Sequence, residues 1–349
     1  MWPRLNRETF RRFFRPTLDE RKRILHWEAW AFVAACYALI LFAFLLPGNY
    51  RSTSAGYVFV SWAAFLVRTF LFHAGLVIVV ITVVAAIVKR WRLLAAAAPL
   101  LAITFGPTLW MMRPKSPPAP GGRTLIVMTV NLLMINRHTG EMIEEIRKAD
   151  PDILFLQEYA PHWHEALSEA LGGDYSYTCG VRREDSFGAA IYSKHPFAGK
   201  PERYLPMGTS GVPEIRAAVD VGGRQIAVYN IHLLPPRRFD YTREQRLQFA
   251  DLRDHLEAEK LPLVMCGDFN FTYTSAFAAS LRGMGLSDAH ARAGRGRGVT
   301  WPGNLFLRWL PGLRFDQVWT SGDLECVACR TGTGTGSDHR PVIARISVP

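Results

Sequence analysis

Polar side chains that can bind a metal ion or a phosphate group recur where apolar, strand-like runs of this 349-residue chain begin or end. The runs close in "TVN", "LQE", "YNIH" and "GDFN", an aspartate opens "DQVW", and "SDHRP" precedes the last run. One such residue is ordinary because turns favour Asn and Asp, but repetition within one region indicates a common site. The residues concerned are Asn131, Glu158, Asn230, His232, Asp268, Asn270, Asp316, Asp338 and His339.

These residue types are suited to metal-assisted hydrolysis of a phosphate ester. The oxygen donors Glu158, Asp338 and Asn131 suit a hard divalent cation such as Mg²⁺ or Mn²⁺, whereas zinc would ask for more His and Cys. Amides and imidazoles beside such an ion can hold the oxygens of a phosphate group. Asn230 and His232 are two positions apart, so a strand would point both side chains to one face.

The elements that must position these residues read as alternating strands and helices. Amphipathic stretches at 139–149 and 242–260 predict helices. The 227 residues after position 122 are enough to bury a core, so we expect one mixed α/β domain. Short apolar runs predict strands covered on both faces at 124–130, 152–157, 189–193, 225–231, 262–266, 315–321 and 341–348.

The cysteines indicate neither a zinc site nor a disulfide. Cys326 and Cys329 form a C-x-x-C, but the surrounding residues predict a strand, on which positions three apart face opposite ways. A zinc site would need more ligands nearby, and a disulfide would need a turn. We therefore expect ordinary buried thiols.

The order of the short motifs resembles that of the endonuclease/exonuclease/phosphatase superfamily, also called deoxyribonuclease I-like. The matching stretches are "TVNL", "LFLQE", "YNIHL", "GDFN", "FDQVW" and "SDHRP", and they span essentially all of residues 123–349. The resemblance implies an α/β fold, a four-layer sandwich of two packed mixed sheets flanked by helices. It also implies a site where the strand ends of both sheets converge.

The resemblance implies a role for each side chain, beginning with the metal ion. Asn131 and Glu158 would bind Mg²⁺, or else Mn²⁺, with Asp338 near the ion. His339 would be the catalytic histidine at the phosphate, and Asp316 would orient it.

The other implied roles concern water and the phosphate group. Asp268 would position or deprotonate the attacking water, and Asn270 would assist it. Asn230 and His232 would hold phosphate oxygens during a single in-line attack without a covalent intermediate. Whether Asp268 or His339 accepts the proton stays open, although a carboxylate beside the histidine favours imidazolium and therefore Asp268 as the base.

Charge divides the chain into two parts. Residues 1–122 contain 15 Lys and Arg against 4 Asp and Glu, whereas residues 123–349 contain 26 of each kind. The net charge of +11 therefore flanks apolar segments and does not lie on the domain with the candidate site. This distribution makes nucleic acid a second choice of substrate.

Apolar stretches at 30–47, 70–88 and 93–112 approach the roughly 20 residues that cross a bilayer. Arg68 interrupts a further segment at 57–70, for which an interfacial helix is favoured over an extension of the second span. A cleaved signal peptide is the alternative for the first span. The Lys/Arg clusters at 4–23 and 89–92 predict cytoplasmic segments, so three crossings leave the chain after residue 112 outside the cytoplasm.

The expected organisation is that of a multi-pass protein of the bacterial cytoplasmic membrane with an extracytoplasmic catalytic domain. An all-α transmembrane region of about three helices precedes the α/β domain, and a Pro- and Gly-rich linker joins them. The predicted segments are a basic cytoplasmic arm at 1–29, the transmembrane region at 30–112, the linker at 113–123 and the catalytic domain at 124–349.

A position beside lipid favours a membrane-borne phosphate ester or pyrophosphate as substrate, such as an isoprenoid pyrophosphate. The architecture resembles the membrane-anchored bacterial branch of the superfamily, with members linked to glycopeptide resistance. An extracytoplasmic nuclease is the alternative, then a phospholipid or sphingomyelin phosphodiesterase, and last a catalytically dead membrane scaffold. The expected partners are the bilayer and a phosphorylated lipid, and no protein partner is indicated.

One aromatic-rich stretch is the candidate for an apolar rim facing the bilayer. Residues 301–315 contain four large aromatic side chains and several leucines. A loop of this composition either contacts lipid or folds back onto the core.

Overall fold

The computed structural model describes residues 17–116, 121–303, 311–334 and 336–349. Much of the predicted basic arm and of the predicted apolar rim therefore lies outside the described residues. Within these described ranges, two helices are long and apolar enough to cross a membrane, Leu18–Leu45 and Trp91–Met112. Between them, Ala55–Thr69 and Leu71–Ile87 meet that test only as a pair bent by 62°. In chain order these four helices are α1 Leu18–Leu45, α2 Ala55–Thr69, α3 Leu71–Ile87 and α4 Trp91–Met112.

The helical region is apolar on its outside. α1 begins at a capping box, in which the Thr17 side chain accepts from the Glu20 backbone and the Glu20 side chain accepts from Thr17. A small buried cluster including Ile78, Ala97 and Leu100 joins α1, α3 and α4. Most of the exposed large apolar side chains of the described chain lie on these four helices. Such a surface is typical of helices that face lipid.

The described residues after position 121 form two mixed sheets. The first is six-stranded in the order β10-β11-β1-β2-β4-β3, and the second is five-stranded in the order β5-β6-β7-β9-β8. The strands are β1 Arg123–Asn131, β2 Ile153–Gln157, β3 Tyr177–Val181, β4 Ala189–Ser193, β5 Ile215–Asp220, β6 Gln225–His232, β7 Leu263–Asp268, β8 Ser287–Asp288, β9 Asp316–Thr320, β10 Glu325–Thr331 and β11 Val342–Val348.

Helices cover the outer face of each sheet. One core lies between the sheets, a second lies between the six-stranded sheet and α5 and α6, and a third lies between the five-stranded sheet and α7 and α8. The predicted four-layer α/β sandwich is therefore confirmed. The helices are α5 Thr139–Ala149, α6 Pro161–Leu171, α7 Phe239–Ala258, α8 Ala276–Gly283 and α9 Ala289–Ala293.

All seven predicted strands are present, with ends shifted by at most two residues. Three strands were not predicted, because they are not apolar runs covered on both faces: β5, whose residues alternate between buried and half-buried, the partly exposed β3 and the two-residue β8. Cys326 and Cys329 are free thiols in β10, as expected. The expectation that they face opposite ways is wrong, because a register shift between Cys326 and Ala328 turns both into the core.

Candidate active site

Strand register places three of the predicted residues side by side on the five-stranded sheet. His232 at the end of β6 is the register partner of Asp268 at the end of β7, and Asp268 is the partner of Asp316 at the start of β9. Neighbouring strands lie about 4.8 Å apart, so side chains at one register level can meet. Nε2 of His232 lies 3.7 Å from Oδ2 of Asp268.

The six-stranded sheet supplies Asn131 and Glu158 to the same place. Asn131 ends β1, and its Nδ2 donates to Oδ2 of Asp268 at 3.2 Å and to Oε1 of Glu158 at 3.3 Å. Glu158 follows β2 in a left-handed conformation with φ +53°, and its Oε2 accepts from the Met134 backbone N–H at 2.9 Å. The strand ends of the two sheets thus meet at Asp268.

His339 reaches this group from the loop before β11. Its Nδ1 donates to Oδ2 of Asp316 at 2.7 Å, and its Nε2 lies 3.7 Å from Oδ2 of Asp268. Ser337 holds the loop, because its hydroxyl donates to the Asn131 carbonyl at 2.7 Å and accepts from the His339 backbone N–H at 3.0 Å. Two aspartates therefore contact opposite nitrogens of one imidazole.

The charge state of His339 follows from those carboxylates. Burial lowers the pKa of His339, but the charges of Asp316 and Asp268 outweigh burial and raise the pKa to about 10. The side chain is therefore an imidazolium that can donate a hydrogen bond from Nε2 at neutral pH.

Comparison with known proteins identifies the arrangement. A sequence model described as "Endonuclease/Exonuclease/phosphatase family" matches residues 128–339, more than half of the chain. The chain belongs to the endonuclease/exonuclease/phosphatase family. Family membership makes it a phosphoesterase, because members of this family hydrolyse phosphoester bonds.

Solved structures share the fold of this phosphoesterase at low identity. An endonuclease/exonuclease/phosphatase from Beutenbergia cavernae is 23% identical, with a TM-score of 0.50 over 65% of this chain and 72% of that one. A family member from Bacteroides thetaiotaomicron is 18% identical, with a TM-score of 0.55 over 65% and 98%. Truncated TDP2 from Caenorhabditis elegans is 20% identical, with a TM-score of 0.53 over 66% and 100%. No curated protein sequence matches the chain.

The residues of this phosphoesterase fit a hard divalent cation, as family members generally use. Oδ1 of Asp338 is buried without a hydrogen-bond partner in the described chain, while its Oδ2 accepts from Trp301 Nε1 at 3.4 Å. Such an oxygen is costly to bury unless a cation or a donor reaches it. Glu158 and Asn131 would add the further oxygen donors that such an ion prefers.

A second group of possible ligands is better explained as a hydrogen-bonded unit. Single ligand atoms of Asp268, Asp316 and His339 lie within 4.8 Å of one another. Oδ2 of Asp316 already accepts from His339, and Asp316 is fully buried. An ion between them would have to break this hydrogen bond, so we place the metal ligands elsewhere in the site.

Asn230 is not available to the substrate in this phosphoesterase. Its Nδ2 donates to the carbonyls of Leu156 and Ala190, both at 2.9 Å, and its Oδ1 accepts from Gln157 Nε2 at 2.5 Å. The amide therefore bridges the two sheets beneath the site. This geometry corrects the expectation that Asn230 holds a phosphate oxygen, because both amide hydrogens are already used.

Asn270 orients Asp268 from the turn that follows β7. Its backbone N–H donates to Oδ1 of Asp268 at 3.0 Å, and its Nδ2 donates to the Leu233 carbonyl at 2.8 Å. A left-handed conformation, φ +51°, makes this turn possible. A contact between Asn270 and substrate phosphate stays a prediction.

Sequence reasoning missed three residues that support the site. Glu214 is fully buried, its Oε2 accepts from the His232 backbone N–H at 2.7 Å, and burial raises its pKa well above the usual range. Phe187 packs against the His232 ring, with centroids 5.5 Å apart. Gln157 holds Asn230. Its place in "LFLQE" was the one available signal, because a polar side chain inside a buried strand needs a partner.

Proposed function

We propose that this protein is a divalent-metal-dependent hydrolase of a phosphate ester or pyrophosphate carried by a membrane lipid, such as an isoprenoid pyrophosphate. One observation carries the proposal: the loops that follow β6 and β7, the strands that end at His232 and Asp268, also contact the apolar helices. Trp62 of α2 donates from Nε1 to the Pro236 carbonyl at 3.0 Å, and Pro236 follows His232 by four residues. The mouth of the site would then lie close to the bilayer surface.

The loop after β7 makes a second contact of this kind. Thr274 donates from its hydroxyl to the Arg68 carbonyl of α2 at 2.6 Å. The neighbouring Tyr273 stacks on Trp110 near the end of α4, with ring centroids 5.7 Å apart. Both residues follow Asn270 within four positions. A lipid headgroup would thus reach the site without leaving the membrane surface.

The chain's own residues account for an in-line attack by water. Asp268 positions the water and accepts its proton at Oδ2. His339, held by Asp316, donates a hydrogen bond from Nε2 to the phosphoryl group. Glu158, Asn131 and Asp338 would hold the metal ion, Mg²⁺ or Mn²⁺, which supplies positive charge at the phosphoryl oxygens when bound.

A nuclease is the second candidate. It is favoured by the structural likeness to TDP2 from D. rerio, solved with a single-strand DNA product, at 18% identity and a TM-score of 0.52. The charge of this chain opposes it, because residues 123–349 contain 26 basic and 26 acidic side chains. A protein that binds nucleic acid through phosphate contacts normally concentrates positive charge on the binding domain.

The test compares three substrates with the purified full chain in detergent and Mg²⁺. We expect phosphate release from an isoprenoid pyrophosphate and none from a phospholipid or duplex DNA. Asp268→Asn should lower the rate on the order of a hundredfold or more, because it removes the group that positions water. Asp323→Asn, a matched change at an exposed residue that pairs with Arg224, should leave the rate unchanged.

Other outcomes would contradict the proposal. DNA cleavage without lipid hydrolysis would favour the nuclease. Equal activity with Mg²⁺ and with a chelator would exclude the metal-dependent reaction.

A further inference from the structure

A cavity of about 50 Å³ lies between the apolar helices and the catalytic domain, and none of the site residues described above lines it. Its apolar wall includes Ala43 and Leu46 from the end of α1 and Phe277 from α8. Its polar wall includes Arg68 of α2 and Arg246 of α7. The cavity is therefore built from distant parts of the chain and contains two cationic side chains.

The two arginines are buried without a countercharge. Arg68 is 7% exposed and Arg246 is 3% exposed. Arg68 donates from Nε to the Ala43 carbonyl at 2.8 Å, and Arg246 donates from Nη1 to the Ser52 carbonyl at 2.9 Å. Within the described ranges, no carboxylate forms an ion pair with either guanidinium.

The guanidinium groups face the rings of Phe44 and Tyr57, at 4.3 and 4.9 Å from the ring centroids, but an anion would stabilise them further. Carbonyl oxygens satisfy some of the donors but do not neutralise the charge, and burial lowers the pKa of Arg246. In the described chain, Nη1 of Arg68 and Nε of Arg246 have no hydrogen-bond acceptor. Guanidinium groups are well suited to phosphate, because planar N–H groups match its oxygens in charge and geometry.

The position of the cavity favours a lipid as the source of the phosphate. It lies just beyond the last turn of α1, which ends at Leu45, and α1 is one of the two described helices that can cross a membrane alone. Tyr50, Tyr57 and Trp62 line it. Tyr and Trp are enriched where membrane helices meet the headgroup layer, so the cavity lies at headgroup depth.

We propose that this cavity binds the phosphate group of an anionic membrane lipid at a second site, separate from the catalytic one. The bound phosphate neutralises Arg68 and Arg246 and fastens the helices to the catalytic domain. Gln245 also lines the cavity and donates to the Asn270 carbonyl at 3.2 Å, so the lipid lies next to the loop that orients Asp268. Lipid binding at this second site does not depend on which bond the catalytic site hydrolyses.

Binding is tested without metal, on the full chain in detergent, with phosphatidylglycerol as the probe. Native mass spectrometry counts the lipids retained, and the melting temperature reports stabilisation by the bound lipid. Phosphatidylcholine and inorganic phosphate are the comparison probes. We expect phosphatidylglycerol to bind and to raise the melting temperature, and the other two probes to have little effect.

Two substitutions in the cavity test separately how its positive charge and its volume contribute to lipid binding. Arg246→Gln removes one guanidinium, and Ser61→Leu fills the cavity while both arginines remain. Each should weaken phosphatidylglycerol binding at least about tenfold, because a charge-assisted hydrogen bond or the space for the phosphate is lost. Arg51→Gln is the matched control, since Arg51 is exposed, pairs with Asp251 and does not line the cavity.

Three results would overturn the proposal. Binding by Ser61→Leu equal to that of the unmodified chain would place the lipid elsewhere, even if Arg246→Gln failed to fold. An equal effect of phosphatidylcholine or of inorganic phosphate would remove the selectivity for an anionic lipid. Loss of binding in Asp268→Asn would assign the lipid to the catalytic site, whereas failure of lipid hydrolysis alone would leave this second site intact.

Discussion

Oδ2 of Asp268 is the atom at which side chains from both sheets meet. Asn131 donates to it at 3.2 Å, and the Nε2 atoms of His232 and His339 each lie 3.7 Å away. Oδ1 of the same carboxylate accepts from the Asn270 backbone. A carboxylate held on both oxygens is oriented before substrate arrives, which is what a water-positioning group requires.

Substitutions at His232 and Asn230 test whether the first residue acts on the substrate and the second supports the fold. His232→Gln, which keeps most of the volume of this buried side chain, should lower kcat/KM roughly a hundredfold with little change in stability, because Nδ1 of His232 has no hydrogen bond in the described chain and Nε2 lies at the site. Asn230→Ala should instead destabilise the fold by about 1–3 kcal/mol, because it leaves Gln157 and two carbonyls without partners.

Steady-state kinetics and thermal unfolding of both variants distinguish these effects. A hundredfold loss of activity in Asn230→Ala at unchanged stability would restore Asn230 as a substrate contact.

Among the secondary-structure elements, α9 holds the segment that follows α4 against the domain that contains the site. Lys115 follows α4 and donates from Nζ to the carbonyls of His290 and Gly294 at 2.6 and 2.7 Å. The His290 ring lies beneath the turn after α9, where a Cβ at Gly294 or Gly298 would come within 2.5 Å of it. Larger residues at those glycines would displace the imidazole.

His290 makes the stability of this element depend on pH. Burial, and next the charge of Arg314, lower the pKa of His290 from 6.5 to about 4. The folded-state pKa is below the unfolded value, so the stabilisation is complete above pH 6.5 and is lost as the pH falls towards 4. The loss should be on the order of 3 kcal/mol, since one pKa unit corresponds to about 1.4 kcal/mol.

His290→Gln keeps a nitrogen donor near the Gly296 carbonyl and removes the titration. Unfolding free energies from pH 7 to pH 4 should fall more steeply for the unmodified chain than for the variant. Parallel curves would contradict the prediction, because they would show that folding does not lower the pKa of His290.

In the whole molecule, side-chain contacts show which end of the α3–α4 helix pair lies against the catalytic domain. At the start of α3, the Arg297 guanidinium lies 3.9 Å from the centre of the Phe72 ring, and His73 hydrogen-bonds the Pro311 carbonyl. Near the end of α4, Trp110 stacks on Tyr273. Because α3 and α4 are packed neighbours joined at 88–90, their basic connection lies at the end away from the catalytic domain.

This arrangement supports the proposal of three crossings with an extracytoplasmic catalytic domain. The bent pair of α2 and α3 decides on which side of the membrane the catalytic domain lies. If only α1 and α4 crossed, the domain would be on the same side as the N-terminus, whereas a third crossing by the bent pair places it on the opposite side. Basic residues before α1 and at 89–92 would then both face the cytoplasm.

Fusions at the C-terminus test this topology. We expect an alkaline phosphatase fusion to be active and a green fluorescent protein fusion to be dark, since the first folds only outside the cytoplasm and the second only inside it. Fusions at the turn 88–90 serve as the control and should behave in the opposite way. The same result at both positions would contradict three crossings.

The amino-acid sequence by itself determined the strands and their ends, because apolar periodicity and turn residues are local properties. The four-layer fold and the family followed from the resemblance of its motif series to a known superfamily. It also named nearly every polar residue that converges at Asp268, since each ends or begins a strand. Two pairs of residues show what the amino-acid sequence could not predict. Asn230 and His232 share a face, yet only His232 reaches the site, because the carbonyls of the other sheet lie opposite Asn230.

The second pair, Arg68 and Arg246, lines one cavity although 178 positions separate the two arginines in the chain. Periodicity specifies the direction in which a side chain points, but its partner belongs to a segment that is brought near only by folding. The tertiary structure therefore decided which polar groups are satisfied, which face the substrate, and which charges are left without a partner.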